Sequence, residues 1–295
     1  MDIAARGYAN PDLLWSPETL REHSGKPGLV IIDTRPAEKF AKGHISGARH
    51  FDLYFVNTDD TDPAPLASFT RMWANLLGWR GVSEGDTIVF VGEFTDMCAA
   101  RGFWFAEYLG HTDVHVLDGG MAGWSAAGCT VDTECDPPKP VKFVHTVAPE
   151  RTATYSSVLD AIDNPDCVIV DNRSRAEFLG KDNRARHGGA IPGAKHRNWE
   201  DLYDHESGCM KFADQLTEAF ESLGVTPGKE ITLYCNTGYR SAHAYLALRL
   251  LDYPRIRNYV GSWQEWGNRD GLPIWNPEDD CATLKSPLKS LRSNR

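Results

Sequence analysis

The chain has 295 residues, 41% of them hydrophobic, and a formal charge of -10 at pH 7. That length and composition support one large or two ordinary folded domains and exclude a disordered chain. The acidic balance argues against general binding to nucleic acid or to an anionic membrane, so an anionic substrate would need local positive groups.

The opening stretch, MDIAARGYANPDLLW, lacks the apolar run of a secretory signal. Nowhere does the sequence approach the roughly 18 consecutive apolar residues of a membrane span. Seven cysteines occur, at 98, 129, 135, 167, 209, 235 and 281, and no two form a CxxC pair. An odd number at wide spacing speaks against a disulfide framework or a structural zinc site and for a reducing compartment. A soluble, cytoplasmic protein is the expectation.

Next comes LVIIDTRPAEKFAKGHISGARHFDL (29–53), a short apolar strand followed by Asp-x-Arg and later Ile-x-Gly-Ala. DTIVFVG (86–92) reads as a strand, MCAARGFWFAEYLG as a helix, and VHVLDGGMAGW (114–124) as another strand and turn. The polar, proline-containing CTVDTECDPPKPVKF (129–143) reads as a linker. The blocks then return in the same order, as CVIVDNRSRAEFLGKDNRARHGGAIPGAKHRNWEDL (167–202), EITLYC (230–235) and IRNYVGSWQEW (256–266). The chain is written twice. Alternating β-branched strands and helix-like stretches imply α/β architecture, each copy a mainly parallel sheet flanked by helices. The expected division is an N-terminal domain at 1–130, a linker at 131–145, a second domain at 146–280 and a flexible basic tail at 281–295.

Cys235 ends the strand of the second copy and precedes the helix-like RSAHAYLALRLLD. Ligands in open α/β sheets bind beyond the carboxyl ends of strands. Gly238 would let the chain curl so that successive N–H groups point inward as an anion-binding nest. Ser241 is a candidate N-cap for the following helix, whose N-terminus adds partial positive charge. That setting lowers a thiol's pKa, and Arg240 would offer a planar cationic contact to an anionic substrate. The alternative is a buried, inert thiol, the ordinary reading for Cys167 or Cys129.

CNTGYRS, between a strand and a helix, resembles the active-site loop of rhodanese-type sulfurtransferases. DNRSRAEF…AIPGA and YVGSWQEWG resemble the family's other landmarks, and DTRPAEKFAKGHISGA with LDGGMAGW match in the first copy. The resemblance covers about 12–275 and implies a tandem rhodanese working through its second domain. Aligning FVG with LYC sets Gly92 opposite Cys235, so the first domain is expected to be catalytically inactive. Cys98, six residues later, reads as a core cysteine on a helix.

The resemblance implies Cys235 as nucleophile, with Asn236, Thr237, Gly238, Tyr239, Arg240 and Ser241 as the substrate-binding loop. Arg186 is a candidate cleft residue beside His187, and Ala190 stands where the family usually has a histidine. Asp171 and Arg173 are expected to support the loop, Trp263 and Trp266 to pack behind it, and His243 to lie on the helix surface. Related phosphatases use Cys-x5-Arg, whereas Cys235-x4-Arg240 is one residue shorter, as in sulfurtransferases. The expected reaction is double displacement: sulfur from thiosulfate forms a Cys235 persulfide and passes to cyanide or a thiol, with no metal or organic cofactor called for. Glu177, four residues after Arg173, would repel the carboxylate of 3-mercaptopyruvate, which favours thiosulfate. Mercaptopyruvate transfer, phosphate or arsenate chemistry, and a persulfide-holding module serving a protein acceptor are the alternatives. No nucleic-acid or membrane partner is expected.

Overall fold

The computed structural model describes residues 2–277; the tail at 281–295 lies outside them. The N-terminal half carries strands β1 (Leu14–Trp15), β2 (Leu29–Asp33), β3 (Arg49–His50), β4 (Thr87–Val91) and β5 (Val114–Leu117). Its helices are α1 (Pro17–His23), α2 (Ala37–Lys42), α3 (Pro63–Trp79), α4 (Met97–Tyr108) and α5 (Gly120–Ala126). The C-terminal half repeats the plan with β6 (Thr152–Ala153), β7 (Cys167–Asp171), β8 (Lys195–His196), β9 (Glu230–Tyr234) and β10 (Ile256–Tyr259). Its helices are α6 (Tyr155–Ala161), α7 (Arg175–Phe178), α8 (Ala213–Glu221), α9 (Tyr239–Leu250) and α10 (Ser262–Trp266).

Each half forms a five-stranded sheet, ordered β1-β5-β4-β2-β3 and β6-β10-β9-β7-β8, and every neighbouring pair is parallel. The apolar runs of β2, β4, β7 and β9 account for this. Each is buried after its first residue, as strands covered on both faces by helices must be. The α/β expectation and the repeat are both met.

The two halves share a core. One apolar cluster joins Phe103, Trp104 and Phe105 of α4 to Tyr245, Leu246 and Leu248 of α9. Smaller clusters belong to one half alone, around Trp263 and Trp266 in the second and Trp124 in the first. Nearly all of α9 is buried, Ser241 and His243 included, as a helix packed between layers must be. Burial of each large apolar side chain there contributes roughly 1.5–3 kcal/mol. Glu107 on α4 adds a fork to Arg249 on α9, Nη2 to Oε1 at 2.9 Å, and accepts the Tyr245 hydroxyl at 2.6 Å. The segment expected as a linker runs along the N-terminal half, with Val141 N–H on the Gly78 carbonyl at 2.8 Å.

His243 departs from expectation. Because α9 faces α4 instead of solvent, its ring is fully buried. The Nε2–H donates to the Thr95 carbonyl at 3.0 Å, and burial pushes the imidazole down to about 4. The unfolded chain would bind this proton near pH 6.5, so the folded state binds fewer protons between about pH 4 and 6.5. Stability is therefore complete above that window and declines as pH falls through it. We expect His243 to cost about 2 kcal/mol between pH 7.5 and 5. Urea unfolding of the wild type and His243→Gln checks this: the variant should lose that share of the acid sensitivity, and identical profiles would refute it.

Among the described residues, no helix is long and apolar enough to cross a membrane.

Candidate active site

Cys235 directly follows β9, and Gly238 caps α9 with φ at +84°. That left-handed conformation favours glycine and turns the chain so that Gly238 N–H donates to Cys235 Sγ at 3.1 Å. The carbonyls of the loop are tied back on its other side. Cys235 O accepts from Trp263 N–H at 3.0 Å and Asn236 O from Gln264 N–H at 2.9 Å. With carbonyls drawn toward α10, the N–H groups face the sulfur, which is the nest expected from the sequence.

Burial acts to raise the thiol's pKa, since Cys235 is only 1% exposed. The Arg240 guanidinium, followed by the Ser241 and Thr237 N–H groups, more than offsets it, and the net direction is down from the ordinary thiol value. Thiolate is the nucleophilic form, so the geometry and the charge agree.

Two loop residues sit differently from the sequence reading. Ser241 is the third residue of α9, not its cap, because the turn at Gly238 starts the helix earlier. Its hydroxyl lies 3.6 Å from Cys235 Sγ and 2.6 Å from Asn258 Oδ1. One hydroxyl proton cannot serve both, and the shorter bond to Asn258 takes it. Arg240 is not an open anion fork either. Each terminal nitrogen gives one N–H to Glu177, at 2.6 and 2.8 Å, so the guanidinium is already paired with a carboxylate while its charge reaches the sulfur through space. Conversely, Glu177 does not face the cleft as a bare carboxylate. Arg240 holds it at about 2 against the opposing effect of burial.

Asp171 and Arg173 form a buried pair, Nη2 to Oδ2 at 2.6 Å, and Arg173 lies 4.3 Å from the Trp263 ring centre. Trp263 and Trp266 are buried behind the loop. Arg186 is not drawn in. Its side chain is exposed, its guanidinium 2.5 Å from Asp270, and its backbone N–H goes to Asn268, so its bonds are all to the segment after α10. Tyr239 is buried, its hydroxyl donating to the Leu53 carbonyl of the N-terminal half. Asn236 and Thr237 remain half-buried beside the sulfur.

Sequence reasoning missed Asn258 and Ser262. Ser262 Oγ accepts Cys235 N–H at 3.2 Å, and Asn258 Nδ2 donates to the Gly238 carbonyl at 3.1 Å. A signal existed for Ser262. It replaces Gly120 of the first copy at a left-handed position, φ +51° against +54°, a strained choice for serine that its hydroxyl explains.

The N-terminal half shows why the equivalent place is closed. Gly92 follows β4, and Met121 and Ala122 N–H groups hold the Gly92 and Glu93 carbonyls at 2.9 Å, as α10 does in the other half. Here the nest holds a carboxyl group of its own. The Asp96 carboxylate accepts N–H groups of Glu93, Cys98 and Ala99 at 2.8, 2.9 and 3.0 Å. A Cβ built on Gly92 would run into that carboxylate. Cys98 is the second residue of α4, packed against the core, and burial pushes its thiol up.

The rhodanese-like domain family model matches residues 16–127 and 154–269. The chain belongs to the rhodanese family. This rhodanese is 33% identical to the sulfur carrier protein TtuD of Thermus thermophilus, over 92% of this chain and all of that one. It is 31% identical to a thiosulfate sulfurtransferase of Pseudomonas aeruginosa, over 90% of this chain and 98% of the relative. Among solved structures, the anaerobic ergothioneine biosynthesis enzyme of Chlorobium limicola superposes with a TM-score of 0.79 at 22% identity, covering 90% of this rhodanese and 71% of that chain. YnjE does so with a TM-score of 0.76 at 24% identity, covering 90% and 69%. At those identities the structural likeness speaks for the fold.

Proposed function

We propose that this rhodanese moves a sulfane sulfur from thiosulfate through a Cys235 persulfide to cyanide or a thiol. The observation that carries the reading is the Cys235 sulfur inside a ring of N–H donors whose net effect favours the thiolate. The thiolate attacks the outer sulfur of thiosulfate, the S–S bond breaks, and sulfite leaves with the bonding pair. Cyanide then attacks the terminal persulfide sulfur, thiocyanate forms, and the thiolate returns. The ring of N–H groups stabilises the negative sulfur at each stage, as an oxyanion hole does for oxygen. In this reading the N-terminal half is catalytically silent, its nest filled by Asp96.

Thiosulfate is favoured over 3-mercaptopyruvate because Arg240 is engaged by Glu177, which leaves that pair without a free fork for a carboxylate. A second reading, a persulfide carrier that hands sulfur to a protein, is favoured by the likeness to a sulfur carrier protein.

Intact-mass spectrometry after brief exposure to thiosulfate, and separately to 3-mercaptopyruvate, tests the proposal. A gain of about 32 Da, one sulfur atom, with thiosulfate is expected, and it should vanish on adding cyanide. A gain with mercaptopyruvate alone would transfer the donor assignment to that compound. A stable gain that cyanide and small thiols do not remove would favour the carrier. No gain with either donor would sink sulfur transfer at Cys235.

A further inference from the structure

Arg101 lies on α4, in the half that lacks the cysteine, yet it is fully buried against the Cys235 loop. Its Nη1 donates to the Gly238 carbonyl at 2.8 Å, while Nε and Nη2 have no hydrogen-bond partner among the described residues. The rings of Tyr239, Phe105 and Trp104 surround the guanidinium, their centres 4.7, 5.0 and 5.3 Å from Cζ. No carboxylate pairs with it in the described part of the chain. An arginine keeps its proton even when buried, so this is a permanent cation whose desolvation is only partly offset by one carbonyl and three aromatic faces.

Among the described residues, the charged and titratable groups around the Cys235 sulfur are Arg240 with its Glu177, Tyr239, Cys98 and Arg101. Burial pushes the Tyr239 hydroxyl and the Cys98 thiol up, so both are neutral at pH 7. Arg240 is matched by a carboxylate, which leaves Arg101 as the unmatched cation of the set. The bond to Gly238 also matters for geometry. The same residue whose carbonyl Arg101 holds presents its N–H to the sulfur at 3.1 Å.

The repeat supplies an independent comparison. Arg101 is the fifth residue of α4 and His243 the fifth residue of α9. Each reaches across the interface to the other half's loop, Arg101 to the Gly238 carbonyl and His243 to the Thr95 carbonyl. The loop with a cysteine receives a permanent cation. The loop whose nest already holds a carboxylate receives a neutral imidazole.

We propose that Arg101 is a positioning residue for sulfur transfer: through it the N-terminal half fixes the Gly238 turn and supplies the buried positive charge that stabilises the anionic sulfur on Cys235. This rests on the reading of Cys235 as the sulfur-carrying group. It gives the silent half a task in the reaction and makes the site the property of both halves.

The test is the pH dependence of Cys235 alkylation by iodoacetamide, resolved from the other cysteines by peptide mass, in the wild type, Arg101→Gln, Arg101→Met and Arg101→Lys. The two neutral variants should raise the midpoint by about one pH unit, a tenfold loss of thiolate at a fixed pH below it. The lysine variant, which keeps the charge, should restore most of that shift. The neutral variants should unfold no earlier than the wild type, because an unmatched buried cation is not a stabilising element. Their kcat/KM with thiosulfate should fall about tenfold. An unchanged midpoint in a folded neutral variant overturns the proposal, as does a lysine variant no better than glutamine; if neither neutral variant folds, Arg101 is structural and the proposal is likewise overturned. Alkylation needs no sulfur donor, so it reports on Arg101 even where the persulfide experiment fails.

Discussion

Replacing Cys235 with serine is expected to lower sulfur transfer from thiosulfate to cyanide by about 10⁴-fold or more. Serine fits the place. Its smaller oxygen can still accept the Gly238 N–H, and the loop is held from behind by Trp263, Gln264 and Ser262, which the substitution does not touch. Stability should change by less than about 1 kcal/mol. The chemistry fails because an alcohol is not ionised by the charge that suffices for a thiol, and because oxygen cannot carry the sulfur as a persulfide. Steady-state thiocyanate formation measures the rate, and a thermal melt checks the fold. Activity retained above about one part in a hundred would move the nucleophile to another cysteine.

Asp171→Ala is expected to cost roughly 3–5 kcal/mol, because it strands a buried guanidinium. Arg173 is 1% exposed, and Asp171 takes its Nε at 3.0 Å from each oxygen and its Nη2 at 2.6 Å. Without the carboxylate, the Gly189 carbonyl, at 2.7 Å from Nη2, is what remains of its hydrogen-bonded partners. The melting temperature should drop by about 10 °C. Function should suffer beyond stability. Arg173 stacks on Trp263, whose N–H holds the Cys235 carbonyl, and the neighbouring Asn172 N–H is bonded to Tyr234, the residue before the cysteine. The first half offers the control. Asp33 and Arg35 make the same fork, with Nη2 to Oδ2 at 2.7 Å, in a half without a cysteine at the strand end. Asp33→Ala should lose comparable stability but less activity per folded molecule. Urea titration and kcat on both variants decide it, and a loss under about 1 kcal/mol for Asp171→Ala would contradict the argument.

Much of the site was legible beforehand because its information is local. A strand of β-branched residues, a cysteine at its end, a glycine three residues on and a helix after it lie within one short stretch, and backbone sterics dictate how such a stretch turns. Asp171 and Arg173 were named only through the family resemblance, as supports of the loop, and their pairing with each other came from the structure. The cap was misplaced by three residues because nothing local distinguishes a cap at Ser241 from a helix that starts at the Gly238 turn. His243 was misread as a surface residue because amphipathic spacing cannot say that α9 has α4 on its outer side.

By itself the sequence determined two copies of a parallel α/β unit, a thiol held in a nest in the second copy, and a glycine in its place in the first. Each follows from residues close together in the chain, where sterics, hydrophobic period and turn chemistry act. Only the tertiary structure decided where the charges go. Arg240 is matched by Glu177, 63 positions away, and Arg101 meets the Gly238 carbonyl across 137. A charge buried far from water is governed by whichever partner the packing brings within a few ångströms, and no local pattern carries that.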